Sequence, residues 1–272
     1  MRRRAGYHPR VSREPSAEDA GGAVRAGAAA EATPAGALGR RLREAAAEEL
    51  AALVEAHAGA LDEAAAELAL RNPYAGAEVI AALAEQRGLA RAYAFRRAVV
   101  FHPRAPEPVA MRWVGGLYWR DLVALGLETR VRPAVRRAAD RHLIARLPGF
   151  AVGEKIAIAR RAGAGVIGHL RHDPSPRVFA ALLENPRLTE GLLAPLVHRE
   201  NAAPEVLRLI AENPRWGLRY PLRTALARNP RTPVATALAL LPALKKVDLR
   251  AVVASPRVAP AVRRRARLLA GG

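Results

Sequence analysis

Three groups of residues have the types and spacing to do chemistry. His169, His172 and Asp173 lie together near an expected helix end, where i, i+3 spacing would orient two imidazoles on one face. A metal site would need a third or fourth ligand, and none is identifiable, so neither a metal nor a cofactor is expected. The histidines read instead as partners of helix-end carbonyls. Tyr118, Trp119, Arg120 and Asp121 combine stacking rings with a carboxylate, which is the equipment for engaging an unstacked base. Trp113, Trp119 and Trp216 read rather as large residues packing in the core or between repeats. The third group is a recurring Pro-Arg pair that supplies Arg104, Arg187, Arg215, Arg231 and Arg257. A regular row of guanidinium groups suits an acidic protein surface or an anionic polymer. The plainer role for each Arg is to cap the carbonyls of the preceding helix and face water.

The elements that position these residues are repeated. Tyr93 to Ala139 aligns without a gap on Tyr220 to Ala266, an offset of 127 residues. The matches include Arg96/Arg223, Pro103/Pro230, Asp121/Asp248, Leu122/Leu249, Arg130/Arg257 and Pro133/Pro260. Ala134-Val135-Arg136-Arg137 recurs as Ala261-Val262-Arg263-Arg264. The second copy places Lys245, Lys246 and Val247 opposite Tyr118, Trp119 and Arg120, so a shared catalytic site is not kept between copies. Inside the second copy, turn signals fall at Asp173, Asn185, Asn201, Asn213 and Asn229, alternating short and long spacings. Two turns in each 28 residues mean two short helices per unit, as in helical arrays.

Asn229-Pro230-Arg231-Thr232-Pro233 shows how one string ends a helix and starts the next. Asn tolerates the left-handed conformation that closes a helix, and Pro cannot continue it. Thr232 then offers an N-cap hydroxyl, with Pro233 at the first helical position. His102-Pro103-Arg104, Asp173-Pro174-Ser175, Asn185-Pro186-Arg187 and Ser255-Pro256-Arg257 are variants, and Asp121 and Asp248 read as further N-caps. In an antiparallel stack alternate turns lie on opposite edges. Arg187 and Arg215 should therefore share one edge and Arg231 and Arg257 the other, joined by the duplicate-equivalent Arg104 and Arg130. Arg136 and Arg137, with Arg263 and Arg264 in the second copy, form basic clusters suited to phosphate contact. For the last helix a polar end cap explains the cluster as well.

Composition limits the alternatives. The chain has 272 residues and no cysteine, which removes disulfides, thiolate metal sites and cysteine nucleophiles. Aromatic residues make up 4%, so the core must be built from Ala, Leu and Val in closely spaced helices. No phosphate-binding loop or serine elbow is present, and Gly163, Gly165 and Gly168 lack the preceding strand that a dinucleotide fingerprint requires. The uncharged stretch Thr232 to Leu244 is too short to span a bilayer and no secretory signal is evident, so a cytoplasmic protein is expected. The net charge of +19 is carried by residues 93–272, while residues 37–92 are slightly acidic. Residues 1–36 show no period and read as a low-complexity leader. Residues 37–272 read as one helical repeat domain, with copy one at about 61–142, spacer helices at 143–171 and copy two at about 172–270.

The turn strings and the short Leu/Ala helices between them resemble HEAT-like and variant leucine-rich repeat proteins over roughly residues 61–270. That resemblance implies an all-α fold, an α-solenoid of short antiparallel helix pairs, used to bind macromolecules. The expected function is a non-enzymatic scaffold for an acidic protein partner. The alternative is sequence-independent nucleic-acid binding through the same arginines, and the weakest is a helical-repeat DNA glycosylase using Tyr118 to Asp121.

Overall fold

The computed structural model describes residues 34–271, so the leader lies outside the described residues except for its last three. Every regular element among the described residues is helical, and no strand occurs. No described helix is long and apolar enough to cross a membrane. Contacts divide the chain into two units, up to Val109 and from Ala110.

The first unit holds α1 (Pro34–Glu44), α2 (Ala47–Ala56), α3 (Glu63–Arg71), α4 (Ala77–Glu85), the short α5 (Arg87–Arg91) and α6 (Tyr93–Phe101). α1 packs on α3, α2 on α4 and α3 on α6. The unit boundary falls inside α7 (Glu107–Val114) and thus inside copy one. The second unit continues with α8 (Trp119–Leu127), α9 (Pro133–Arg146), α10 (Val152–Ala159), α11 (Ala164–Leu170) and α12 (Pro176–Leu183). It goes on through α13 (Glu190–Val197), α14 (Pro204–Glu212), α15 (Tyr220–Arg228), α16 (Val234–Leu240), α17 (Lys246–Ala254) and α18 (Pro260–Gly271). Contacts run to the next helix and the next but one: α9 to α11, α10 to α12, and so on to α16 and α18. Helix bounds keep the 127-residue offset, as α6 and α15, α8 and α17, and α4 and α14 show. The core is Leu, Val and Ala with few rings: Phe179 is fully buried, as are Trp216 and most of Trp113.

The turns close helices differently from the sequence expectation. No residue other than glycine has a positive φ among the described residues, and Asn72, Asn213 and Asn229 are all extended. A following proline disfavours helical backbone at these positions and so favours the extended state. The asparagine side chain then turns inward. Asn185 Nδ2 donates to the carbonyls of Ala159 (2.7 Å) and Ala162 (3.0 Å), while its Oδ1 accepts the Arg187 N–H (2.8 Å). Asn72 repeats this on Leu42 and Ala45, and Asn229 on Val197 and Arg199. Asn72, Asn185 and Asn229 are thus clamps that satisfy the orphan carbonyls of an earlier helix end while folding their own turns, whereas Asn213 only folds its turn, through Oδ1.

His102 is the ring version of this clamp. Its Nδ1 accepts the Arg104 N–H (3.1 Å), which leaves the other ring nitrogen to donate to the Leu70 carbonyl. Only the neutral ring can do both. Burial, and secondarily Arg104, hold its pKa below the ordinary 6.5 against the opposing pull of Leu70. His172 is held down in the same way, by burial and then by Arg171, Arg199 and His169. The unfolded chain therefore binds these protons more readily. Their contribution to stability is complete above pH 6.5 and is lost as pH falls through the lower folded values. Thermal melts followed by circular dichroism should show a lower Tm at pH 5 than at pH 8, and His102→Asn, which keeps the clamp without titrating, should shrink the difference. An unchanged pH dependence in His102→Asn would remove His102 from this role.

Three expected N-caps are also corrected. Thr232 does not cap the following helix, because α16 starts one residue later than expected; its hydroxyl donates to Leu226 O (2.6 Å) and closes α15 instead. Asp121 and Asp248 lie at the third positions of α8 and α17, inside the first turn, where a carboxylate still favours the helix dipole. Tyr220 takes over as the cap of α17: its oxygen accepts the Lys245 N–H (2.9 Å) and its hydroxyl donates to Asp248.

Candidate functional site

In the second unit the turns sort onto two edges. One carries residues 159–163, 185–189 and 213–219. Asn185 reaches Ala159 and Ala162 there, and Trp216 Nε1 donates to Leu183 O (3.0 Å). The other carries residues 171–175, 198–203, 229–233 and 255–259; Asn229 reaches back to Arg199, and Pro230, Ser255 and Arg257 line one cleft.

These edges test the expected arginine rows. Arg187 and Arg215 share the Asn185 edge, since the Arg215 guanidinium donates to the carbonyls of Asn185 (3.0 Å) and Leu188 (3.2 Å). Arg231 and Arg257 share the Asn229 edge. Arg130 does not join them. The end of α8 meets the start of α11, where a Cβ on Gly163 would touch Leu127, and this puts Arg130 on the Asn185 side. The physical reason is parity: an odd number of helices separates Trp119 from Lys246, so duplicate positions in this unit face opposite edges. Arg104 lies in the first unit, where its guanidinium donates to the carbonyl of Pro73.

The arginines also differ in what holds them. Arg104 and Arg215 are ties between turns, and Arg215 additionally covers the Trp216 ring at 4.4 Å. They do cap carbonyls, but those of an earlier repeat and not of their own helix. Arg130 is paired with Glu128 through two nitrogens (3.0 and 3.2 Å), which holds the carboxylate below its usual range. Arg136 and Arg263 are half-buried with Nε enclosed and unbonded, whereas Arg137 and Arg264 are exposed. Arg187 and Arg231 fold their turns through the backbone N–H and leave their side chains in solvent.

The remaining chemistry-bearing clusters are occupied. Asp173 stands where an asparagine clamp would stand; its Oδ1 accepts the Ser175 N–H (2.9 Å) and its Oδ2 pairs with Lys155 (3.0 Å), with both side chains largely buried. His172 Nε2 accepts from Arg171 Nε (3.1 Å). Among the described residues no group of three His, Asp or Glu side chains could hold a metal ion. Trp119 packs on Phe150 with ring centroids 6.4 Å apart and lies under Arg120, while Tyr118 is 66% exposed.

The structure adds three cations that sequence reading missed. Arg171, Arg199 and Arg228 stand at or just beyond the ends of α11, α13 and α15, all on the Asn229 edge. Their spacing was a usable signal: Arg171 and Arg199 are one 28-residue unit apart, and Arg228 follows one residue beyond the next. With Arg231 and Arg257 they put five guanidinium groups on this edge, where Glu200 is paired with Arg257 and Asp173 with Lys155. The side chains of Arg199, Arg228 and Arg231 carry no ion pair among the described residues.

A cleft of about 700 Å³ opens along α15, between the end of α13 and the α17 segment. His198, Glu200, Thr224, Arg228, Asp248 and Arg257 line it. It thus offers guanidinium donors together with carboxylate and hydroxyl acceptors. No protein-family model, no curated protein and no solved structure matches the chain.

Proposed function

We propose that the chain is a non-enzymatic interaction scaffold, a HEAT-like α-solenoid of the cytoplasm, that binds an acidic segment of another protein along the Asn229 edge of its second unit. The observation that supports this is the mixed lining of the α15 cleft. Arg228 and Arg257 favour carboxylates, while Glu200 and Asp248 stand in the same cleft. A nucleic-acid backbone is anionic and carries no N–H donor for either acid. An acidic peptide brings carboxylates together with backbone N–H groups, and so it can meet both kinds of wall.

The test compares a labelled oligoglutamate peptide with random duplex DNA by fluorescence anisotropy across a salt series. The peptide should bind more tightly at physiological salt. Reversing Arg228 and Arg231 to glutamate should weaken it on the order of tenfold per charge, about 1.4 kcal/mol each. The same reversals at Arg187, on the opposite edge, should change little. Tighter binding to duplex, with steep loss on adding salt, would replace this reading with nucleic-acid binding.

A further inference from the structure

The Glu200–Arg257 ion pair is long-range, as is Arg160–Glu184 at 24 residues, but it reaches further. Arg208 pairs with Glu205 and Glu212 on its own helix, and Arg130 pairs with Glu128 two residues away. Glu200 and Arg257 are 57 residues apart, in the turns after α13 and α17. The turn after α15, with Asn229 and Pro230, comes between those two along the edge. The pair therefore spans from turn to next-but-one turn, and both partners line the α15 cleft. Their side chains are 69% and 63% exposed, so the pair lies at the mouth in contact with solvent.

Such a pair adds little to stability, because water screens it and two long side chains must be ordered to make it. It does fix the state of Arg257. In the free protein that guanidinium already holds a carboxylate, and Arg228 in the same cleft holds none. We infer that Arg257 is the carboxylate-recognition residue of the cleft and that Glu200 is its built-in occupant, a side chain of the protein's own that an aspartate or glutamate of the partner displaces. This rests on the acidic-segment reading above. Displacement exchanges one Arg–carboxylate pair for another, with Arg228 adding a second donor to the incoming group. Glu200 is released to solvent, where it is fully hydrated. The internal pair thus sets a threshold: isolated carboxylates compete poorly with Glu200, and a segment that delivers several at once displaces it.

The experiment is a double-mutant cycle on the full chain, with the same oligoglutamate probe at physiological salt. Glu200→Gln should tighten binding about threefold, the factor expected when a competing exposed pair is removed. Arg257→Ala should weaken binding. Glu200→Gln added to Arg257→Ala should tighten binding clearly less than it does in the wild type, since the competitor then has no Arg257 to hold and only its charge in the cleft is removed. Equal tightening in both backgrounds would reduce Glu200 to bulk charge and overturn the inference. Unchanged or weaker binding by Glu200→Gln would overturn it as well. In either case wild-type binding to the probe would leave the acidic-segment reading standing. Failure of both the wild type and Glu200→Gln to bind would sink that reading and the inference together. Matching thermal melts of the four proteins establish that each is folded.

Discussion

Lys155→Met is expected to destabilise the second unit by about 3–5 kcal/mol, the usual consequence of leaving one half of a buried ion pair behind. Lys155 and Asp173 are 16% and 8% exposed at their side chains, and the Asp173 carboxylate also accepts the Ser175 N–H. Without the ammonium group that largely buried carboxylate is left on a cleft wall shared with Leu147, Leu170, His169 and His172. Chemical denaturation should show the loss as a lower midpoint with little change in slope. The informative control is Lys155→Met combined with Asp173→Asn. An asparagine at 173 keeps the oxygen that folds the turn, removes the charge, and reproduces the residue found at 185 and 229. Most of the lost stability should return. If the double variant is as unstable as Lys155→Met alone, packing of the lysine stem and not charge pairing carries the effect.

Asn185→Leu is expected to cost about 2–4 kcal/mol. Leucine is close in volume, so the change removes hydrogen bonds rather than mass. It strands the carbonyls of Ala159 and Ala162 and the N–H of Arg187 in a site where Asn185 itself is fully buried. Asn201 is the matched comparison. It occupies the corresponding turn signal in the sequence but is exposed, and Asn201→Leu should shift the Tm very little. Equal effects at the two positions would mean that the clamp contributes nothing beyond turn propensity.

These two sites show what sequence could and could not reveal. Turn positions were legible because proline and asparagine punctuate helices strongly, and the 127-residue offset carried helix bounds from one copy to the other almost to the residue. The direction of the asparagine side chain was not legible. A local pattern describes a turn's own backbone, and the Asn185 bond goes to a helix end 26 residues earlier. The arginine rows failed at Arg130 for a similar reason. Parity depends on how many helices lie between copies, and one helix more or fewer in the spacer reverses it. Arg215 and Arg231 occupy the same place in the same dipeptide, yet one guanidinium is bonded to two carbonyls and the other faces solvent. Sequence type alone does not separate a tie from a free cation; the neighbouring turn does.

The clamps all point backwards along the chain. Asn72 reaches to Leu42, His102 to Leu70, Asn185 to Ala159, Arg215 to Asn185 and Asn229 to Val197, spans of 26 to 32 residues. During synthesis, then, a helix end emerges from the ribosome with its carbonyls unanswered and waits for about one more repeat before a side chain arrives to close it. Nascent folding should trail elongation by that interval and advance in steps, each new turn sealing the one made before it.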